Sequence, residues 1–481
     1  LFLTISSHTR WASIGAITEP NCHPVDNLPH EDVTTAKGII HACLNGDIDN
    51  YLELKKSAEA EGRSFPPEIT TDTKIIPVQI EKYIQQGIDV PEAFRRAVND
   101  FEGSHAIAMH TDLAPGKFFL AQKGSGQAVF VGLAPDHYMP TSEVYGFIEE
   151  TDRFLKMDGE KVVDGLHGKT QGQIFILDQN SPGGTDGIQA MYYDGTPIAI
   201  VPDEIKRTEI TSRDIDRQDF PHYFLKEISE SPVSVEKTLQ NRWKIDATTD
   251  QYCIALDASA FPKTLVEALT ADRIQRIFFM GQGTAGVAAL ACANVLQHYL
   301  NEPGLQVNAL KASELSGSHL DEHDHTTSMA DTLVVAISQS GTTTDTNRTV
   351  DMVKARGAHT LAIVNRRGSD ITFKVDGVVY TSSGRDIEMS VASTKAFYSQ
   401  IVAGTVLGLK IAAIKGRRSA AFISEEIKDL LALPMQMRKV LDLREAIAAS
   451  ARRHAGTKTY WAAVGSGPNK ASADEIRIKL S

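Results

Sequence analysis

TLVVAISQSGTTTDTNRTVDMVKARG, residues 332–357, decides how the second half of this 481-residue chain folds. TLVVAIS (332–338) is an unbroken apolar run, too short for a core helix and of the length of a strand buried on both faces. DTNRTVDMVKARG (345–357) has apolar residues at helical spacing and stops at a glycine. Between them, SQSGTTTDT (338–346) is small, polar and rich in hydroxyls. A loop that leaves the carboxyl end of a parallel strand and opens a helix gathers unpaired N–H groups and the positive end of the helix dipole. The hydroxyls of Ser338, Ser340, Thr342, Thr343 and Thr344 add donors. Such a loop suits a phosphate; read alone, it also fits a turn capped by Asp345.

The same alternation runs on both sides. RIFFMG (276–281), LQVNAL (305–310), HTLAIVN (359–365) and GVVYTSS (377–383) read as strands. AGVAALACANVLQHYL (285–300) and STKAFYSQIVAGTVLGLKIAAI (393–414) read as buried helices. Repeated strand–helix units predict an α/β domain, a parallel sheet flanked by helices. GQGTAG (281–286) is not read as a dinucleotide fingerprint, because no acid closes a following strand. Residues 419–456 are helical. KTYWAAVGSG (458–467) parallels RIFFMGQG and predicts a strand that starts a second copy of the unit.

Residues 1–165 read differently. KFFLAQ (117–122), AVFVGL (128–133) and EVYGFI (143–148) are short strand-like runs, and VPEAFRRAVNDF (90–101) is an amphipathic helix. This predicts an α+β domain with a largely antiparallel sheet. Residues 166–215 are turn-rich, a meander into a connector, and FPHYFLKEISESPVSVEKTL (220–239) is helical. The predicted boundaries are 1–215, a connector over 216–244, a domain over 245–418, and a helical link with the start of a further domain over 419–481.

Composition narrows the classes. Sixty-one acidic against forty-nine basic side chains give a net charge of −12, so the footprint of a nucleic-acid binder is absent. No stretch approaches about 18 uninterrupted apolar residues, which argues against a membrane span. Four scattered cysteines, Cys22, Cys43, Cys253 and Cys292, fit a reducing compartment, with Cys22 and Cys43 read as small buried hydrophobes. HLDEHDH (319–325) invites a metal reading, but a solvated acidic loop explains it as well, and no metal is expected. The chain opens LFLTISSHTRW and closes ADEIRIKLS inside a helix; both ends read as cut.

Three short segments near the start carry chemistry in combination: HTRWASIGAITEPNCHP (8–24), CLNGDIDN (43–50) and ITTDTK (69–74). Each alone fits a structural role: Arg10 in an ion pair, Asn45-Gly46 as a tight turn, Asp72 as a helix cap. In this order they resemble the class II glutamine amidotransferase domain, of the N-terminal nucleophile type. FPHYFLKEI..SP (220–232), SQSGTTTDT and VASTKAF (391–397) resemble the connector and the sugar-phosphate-binding SIS domain of the glutamine–fructose-6-phosphate aminotransferases.

The resemblance implies roles. Arg10 offers a planar fork for the α-carboxylate of glutamine, and Asp72 the opposite charge for its ammonium. Trp11 and Ser13 belong to the mobile glutamine loop. Asn45 and the Gly46 amide form the oxyanion hole. The nucleophile is a cysteine upstream of residue 1. Thr284, Ser338, Gln339, Ser340 and Thr343 hold the phosphate and sugar, Val391, Ala392 and Ser393 line the sugar, and Lys479 sits on the helix that carries the isomerising glutamate; Glu388 reads as structural. No cofactor is implied. The implied substrates are glutamine and fructose 6-phosphate, in a cytoplasmic homodimer paired through SIS domains. The chain departs from the family's pattern at Ser13, which keeps the hydroxyl of a threonine, at Ile14, which replaces a histidine, and at Gln282 and Ala285, which replace a cysteine and a serine. The Ile14 and Ala285 departures leave open a related enzyme acting on another keto-sugar phosphate; a non-catalytic sugar-phosphate sensor is the reading from another class.

Overall fold

TLVVAIS is buried along its whole length and forms the strand Thr332–Ser338, central in a five-stranded sheet. The computed structural model describes residues 3–10, 14–29, 38–124, 127–320, 327–390 and 392–480. The chain divides into two units, 1–212 and 213–481.

In the second unit the sheet order is Gln306–Lys311, Arg276–Gly281, Thr332–Ser338, His359–Val364, Gly377–Tyr380, and every pair is parallel. Residues of alternate parity face opposite ways, as the pleat requires. Ile277, Phe279, Leu333, Val335, Ile337 and Ile363 pack with apolar residues of helices Thr284–Leu300 and Lys395–Ile414. Met280, Val334, Ala336 and Val364 pack on the other face with Val350 and Val353 of helix Thr344–Ala355. In chain order the strands run second, first, third, fourth, fifth, so the connections reverse between Arg276–Gly281 and Thr332–Ser338. Open sheets bind ligands at such a switch point, outside the carboxyl ends of the two strands. The helix Lys395–Ile414 is long and apolar enough to cross a membrane, but 72% of its most apolar window is buried within the protein, as in a core helix.

The first unit is layered. A six-stranded antiparallel sheet runs Ile40–Gly46, His105–Thr111, Lys117–Lys123, Gln173–Asp178, Ile188–Tyr192, Pro197–Ile198. Ile107, Phe119, Ile174 and Ile176 on one face pack with residues of helices Ile75–Gln85 and Val90–Asp100. Ala106, Leu120, Phe175 and Leu177 on the other pack with Val131 and Leu155 of a second, four-stranded sheet, Lys206–Arg207, Arg153–Lys156, Phe130–Leu133, Tyr138–Thr141.

Three expectations change. EVYGFI is no strand: Val144–Gly146 is a 3₁₀ turn. Val144 and Phe147, three residues apart, are both buried against Phe130 and Phe154, which is the spacing of a 3₁₀ turn and not of a pleat. KTYWAAVGSG forms no strand either, with Tyr460 and Val464 over nine-tenths exposed. A strand needs a neighbour for its N–H and C=O groups, and none pairs with it among the described residues. Cys22 is exposed, not buried, because it caps a surface 3₁₀ turn, Glu19–Asn21; Cys43 is buried.

Candidate functional sites

In the first unit, edge strand Ile40–Gly46 ends with Asn45 and Gly46, which form no turn but still pair with Ala106 and His105. Gly46 has φ +113°, and a Cβ there would lie 2.2 Å from the Ser104 carbonyl oxygen, so only glycine fits. The Asn45 side chain is exposed at this edge. Two residues on, the Ile48 amide donates to Asp72 Oδ2 at 3.0 Å. Asp72 is only 4% exposed. Burial pushes its carboxyl above the ordinary range, against the pull of the Ile48, Thr71 and Thr73 hydrogen bonds.

The segment carrying Arg10 is fastened to the Asp72 segment at several points. The Ala16 amide donates to Thr70 Oγ1 at 2.9 Å. Asn21 Oδ1 accepts from the Thr70 and Thr71 amides at 2.7 and 2.9 Å, while its Nδ2 donates to the Glu68 carbonyl. His23 Nε2 lies 2.8 Å from Thr73 Oγ1, and the His23 ring stacks on His8 at 4.7 Å. The Arg10 guanidinium donates to the carbonyls of Ile14 and Ala16, bracing its own loop. Thus Asp72 and the Asn45-Gly46 strand end are linked through Ile48, and the Arg10 loop lies on the Asp72 segment. No ion pair joins Arg10 to Asp72 among the described residues. Trp11 and Ser13 lie outside the described residues. Sequence reasoning gave no role to Asn21, His8 or His23, although HTRW and CHP contain both histidines.

In the second unit the loops after Arg276–Gly281 and Thr332–Ser338 flank the switch point. Ser338 Oγ accepts the Gly341 amide at 2.9 Å and lies 3.4 Å from Thr343 Oγ1. Gly341 has φ +73°, and a Cβ there would meet Ser369 Oγ at 2.0 Å. Ser340 Oγ accepts from the Thr342 amide and hydroxyl at 3.2 and 3.0 Å. Gln339 and Ser340 are half-buried. Thr343 is the N-cap of Thr344–Ala355, with no capping bond from its own side chain. Its hydroxyl therefore does not occupy the first-turn amides that an anion would use.

Across the crevice, Gln282 Nε2 donates to Ser313 Oγ and to Asp345 Oδ2, at 3.0 and 3.1 Å. Thr284 Oγ1 accepts from Lys479 Nζ at 3.1 Å and donates to Glu475 Oε1 at 3.1 Å; Lys479 and Glu475 also pair as ions. The structure thus brings Lys479 of helix Asn469–Leu480 onto Thr284. Glu475, four residues before Lys479 on the same helix face, was not singled out from the sequence.

Glu388 holds the other loop. Its carboxylate accepts from Ser393 Oγ, Thr394 Oγ1 and the Thr394 and Ala396 amides, at 2.6 to 3.0 Å. It caps helix Lys395–Ile414, and burial raises its carboxyl above the ordinary range. Glu227, 1% exposed, accepts from the Met389 and Ser390 amides and from Thr394 Oγ1. Lys395 pairs with Glu230 and Asp386 at 2.8 and 2.6 Å; burial opposes its charge, but the two carboxylates hold its pKa above the ordinary value. Ser393 is thus spoken for by Glu388, Ala392 is half-buried beside it, and Val391 lies outside the described residues. The acidic part of HLDEHDH, residues 321–325, lies outside them too. No group of three or more metal-ligating side chains occurs among the described residues.

A parallel sheet of this topology with a hydroxyl-rich loop at its switch point is the architecture of a SIS domain, and the SIS domain family model matches residues 272–410. Over the longer chain, the glutamine–fructose-6-phosphate aminotransferase [isomerizing] of Symbiobacterium thermophilum is 30% identical across 475 residues, 98% of this chain and 68% of that protein. The protein of the same name from Bacteroides thetaiotaomicron is 28% identical over 92% of this chain and 64% of its own length. The chain belongs to the glutamine–fructose-6-phosphate aminotransferase family. It spans about two thirds of the length of the curated relatives it matches. The solved C-terminal domain of glucosamine-fructose-6-phosphate aminotransferase from Francisella tularensis is 24% identical, with a TM-score of 0.46 over 55% of this chain and 68% of that one.

Proposed function

We propose that this chain carries the glutamine-holding and sugar-phosphate-holding parts of an enzyme that moves ammonia from glutamine to fructose 6-phosphate and isomerises the product to glucosamine 6-phosphate. The supporting observation is the fastening of the Arg10 loop to the Asp72 segment, with Asp72 tied through Ile48 to the strand end at Asn45 and Gly46. In this reading the first unit is an N-terminal nucleophile-type glutaminase. Asp72 receives the ammonium of glutamine. Its buried carboxyl lacks a cationic partner among the described residues, and an arriving ammonium supplies one. Arg10 turns from the Ile14 and Ala16 carbonyls to the α-carboxylate. Asn45 and the Gly46 amide face the oxyanion, where one donor contributes about 2.7–4 kcal/mol in the transition state.

In the second unit the phosphate rests on the amides and hydroxyls of residues 338–343 at the start of helix Thr344–Ala355. Thr284 and Lys479 hold the sugar from the opposite side. The enzyme works as a homodimer through its SIS domains. The test is production of glucosamine 6-phosphate from glutamine and fructose 6-phosphate by the full-length protein. Wild type should form product, and Asp72→Asn should lose glutamine-dependent but keep ammonia-dependent turnover. Equal loss of both would remove Asp72 from the glutamine site.

A second reading, action on another keto-sugar phosphate, is favoured by Gln282, whose side chain spans the crevice to Ser313 and Asp345. A panel of keto-sugar phosphates with wild type and Gln282→Cys separates the two. A substrate other than fructose 6-phosphate that is preferred by wild type and lost in the variant selects the second.

A further inference from the structure

His8 and His23 stack with their planes 10° apart and centroids 4.7 Å apart. His8 lies two residues before Arg10. His23 is 9% exposed and reaches the two hydroxyls that bracket Asp72, Thr73 Oγ1 at 2.8 Å and Thr71 Oγ1 at 3.5 Å. The stack therefore bridges the segment that carries the proposed carboxylate fork and the segment that carries the proposed ammonium acceptor. We propose that His8 and His23 are a positioning pair that clamps the Arg10 loop onto the Asp72 segment only while both rings are neutral, so that protonation releases the loop and weakens glutamine binding. This rests on the reading of Arg10 and Asp72 as the glutamine holder.

The surroundings favour the neutral pair. Two stacked imidazolium rings at this distance would repel, and Arg10 adds a third positive charge beside them. Burial, then His8 and Arg10, hold the His23 pKa down at about 4, against the Leu44 backbone, which raises it. Burial, then Arg10, lowers that of His8. Asp72, the acid between the two threonines, is occupied by the Ile48 and Thr73 amides. Thr71 and Thr73 offer hydroxyls, which serve either tautomer of a neutral ring. The sign follows from linkage: the released His23 ring binds a proton near pH 6.5 and the clamped His23 ring only near pH 4, while His8 is lowered in the same direction. The clamp is at full strength above about pH 6.5 and weakens as pH falls below it, by up to about tenfold per unit for each proton.

Two measurements on the full chain test this. The first is amide hydrogen exchange, corrected for intrinsic rates, at Ala16, Thr70 and Thr71, with strand His105–Thr111 as the folding control. Exchange should accelerate severalfold between pH 7 and pH 5 in wild type while the strand stays protected. His8→Phe with His23→Gln keeps a stacked ring and an amide near Thr73 but no titrating group; it should stay slow at both pH values. His23→Ala should exchange fast at both. The second is calorimetric titration with L-glutamine, for which the dissociation constant should rise at least fivefold over the same pH range in wild type and stay flat in the double variant. A pH-independent wild type, or a double variant that keeps the wild-type slope, overturns the clamp. Unchanged glutamine affinity in Asp72→Asn overturns the glutamine reading instead, and the exchange data still decide whether the histidines clamp the loop.

Discussion

The tetrapeptide Thr-Thr-Asp-Thr occurs in each unit, at 70–73 and at 343–346, both times at the start of a helix. In the first unit it is sealed in. Thr71, Asp72 and Thr73 are buried, Asp72 takes the Ile48 amide, and the hydroxyls meet His23. In the second it lies at the rim of a crevice. Thr343, Thr344 and Asp345 are half-exposed, and Asp345 accepts from Gln282. One copy presents a buried charge and the other presents neutral donors. A buried carboxylate selects a cation, because only a cation repays its lost hydration. A row of amides and hydroxyls selects an anion that must also leave.

The largest expected effect breaks this comparison at its charged side. Asp72→Asn should weaken glutamine binding by about 2–3 kcal/mol, on the order of 50-fold, since a charge-assisted bond is lost from a buried site. The matching change Asp345→Asn should alter fructose 6-phosphate binding by no more than a few-fold. Titration calorimetry on both variants decides; equal effects would dissolve the distinction. Asp72→Asn should also raise the melting temperature at pH 7. A carboxyl whose folded pKa is raised binds its proton more readily in the folded state, so its penalty to stability is fully present above the raised value and vanishes below the ordinary one. The gain should therefore fade toward pH 3.

The second effect probes the neutral side. Gly341→Ala places a Cβ against Ser369 at a positive φ, a strain of about 1–3 kcal/mol. Binding of fructose 6-phosphate should fall roughly tenfold with glutamine binding unchanged; loss of both would point to general unfolding. A smaller effect sharpens the role of the neighbouring loop. Glu388→Ala should cost about 1–3 kcal/mol of stability by uncapping helix Lys395–Ile414, read by denaturant unfolding. A change within 0.5 kcal/mol, roughly that of an exposed site, would deny Glu388 a capping role.

The parallel sheet was legible because its strands are covered on both faces, which writes itself as unbroken apolar runs. The same rule misread KTYWAAVGSG, whose apolar letters find no partner strand among the described residues, and EVYGFI, whose two buried residues lie three apart. Residues at the two candidate sites were legible as types and not as contacts. Nothing in HTRW or CHP announces that His8 and His23 stack, and nothing in the spacing of Glu388 from Lys395 announces a helix cap. Such contacts join residues that are neighbours only after the chain has folded.

The sequence by itself determined the layers of the second unit: continuous apolar runs made a sheet buried on both faces. Only the tertiary structure decided what each polar group faces. It sealed one Thr-Thr-Asp-Thr and opened the other, and it set Lys479 on Thr284. The physical reason is that burial of apolar surface depends on local pattern, whereas the worth of a charge or a hydrogen bond depends on the dielectric and partners that distant segments bring to it.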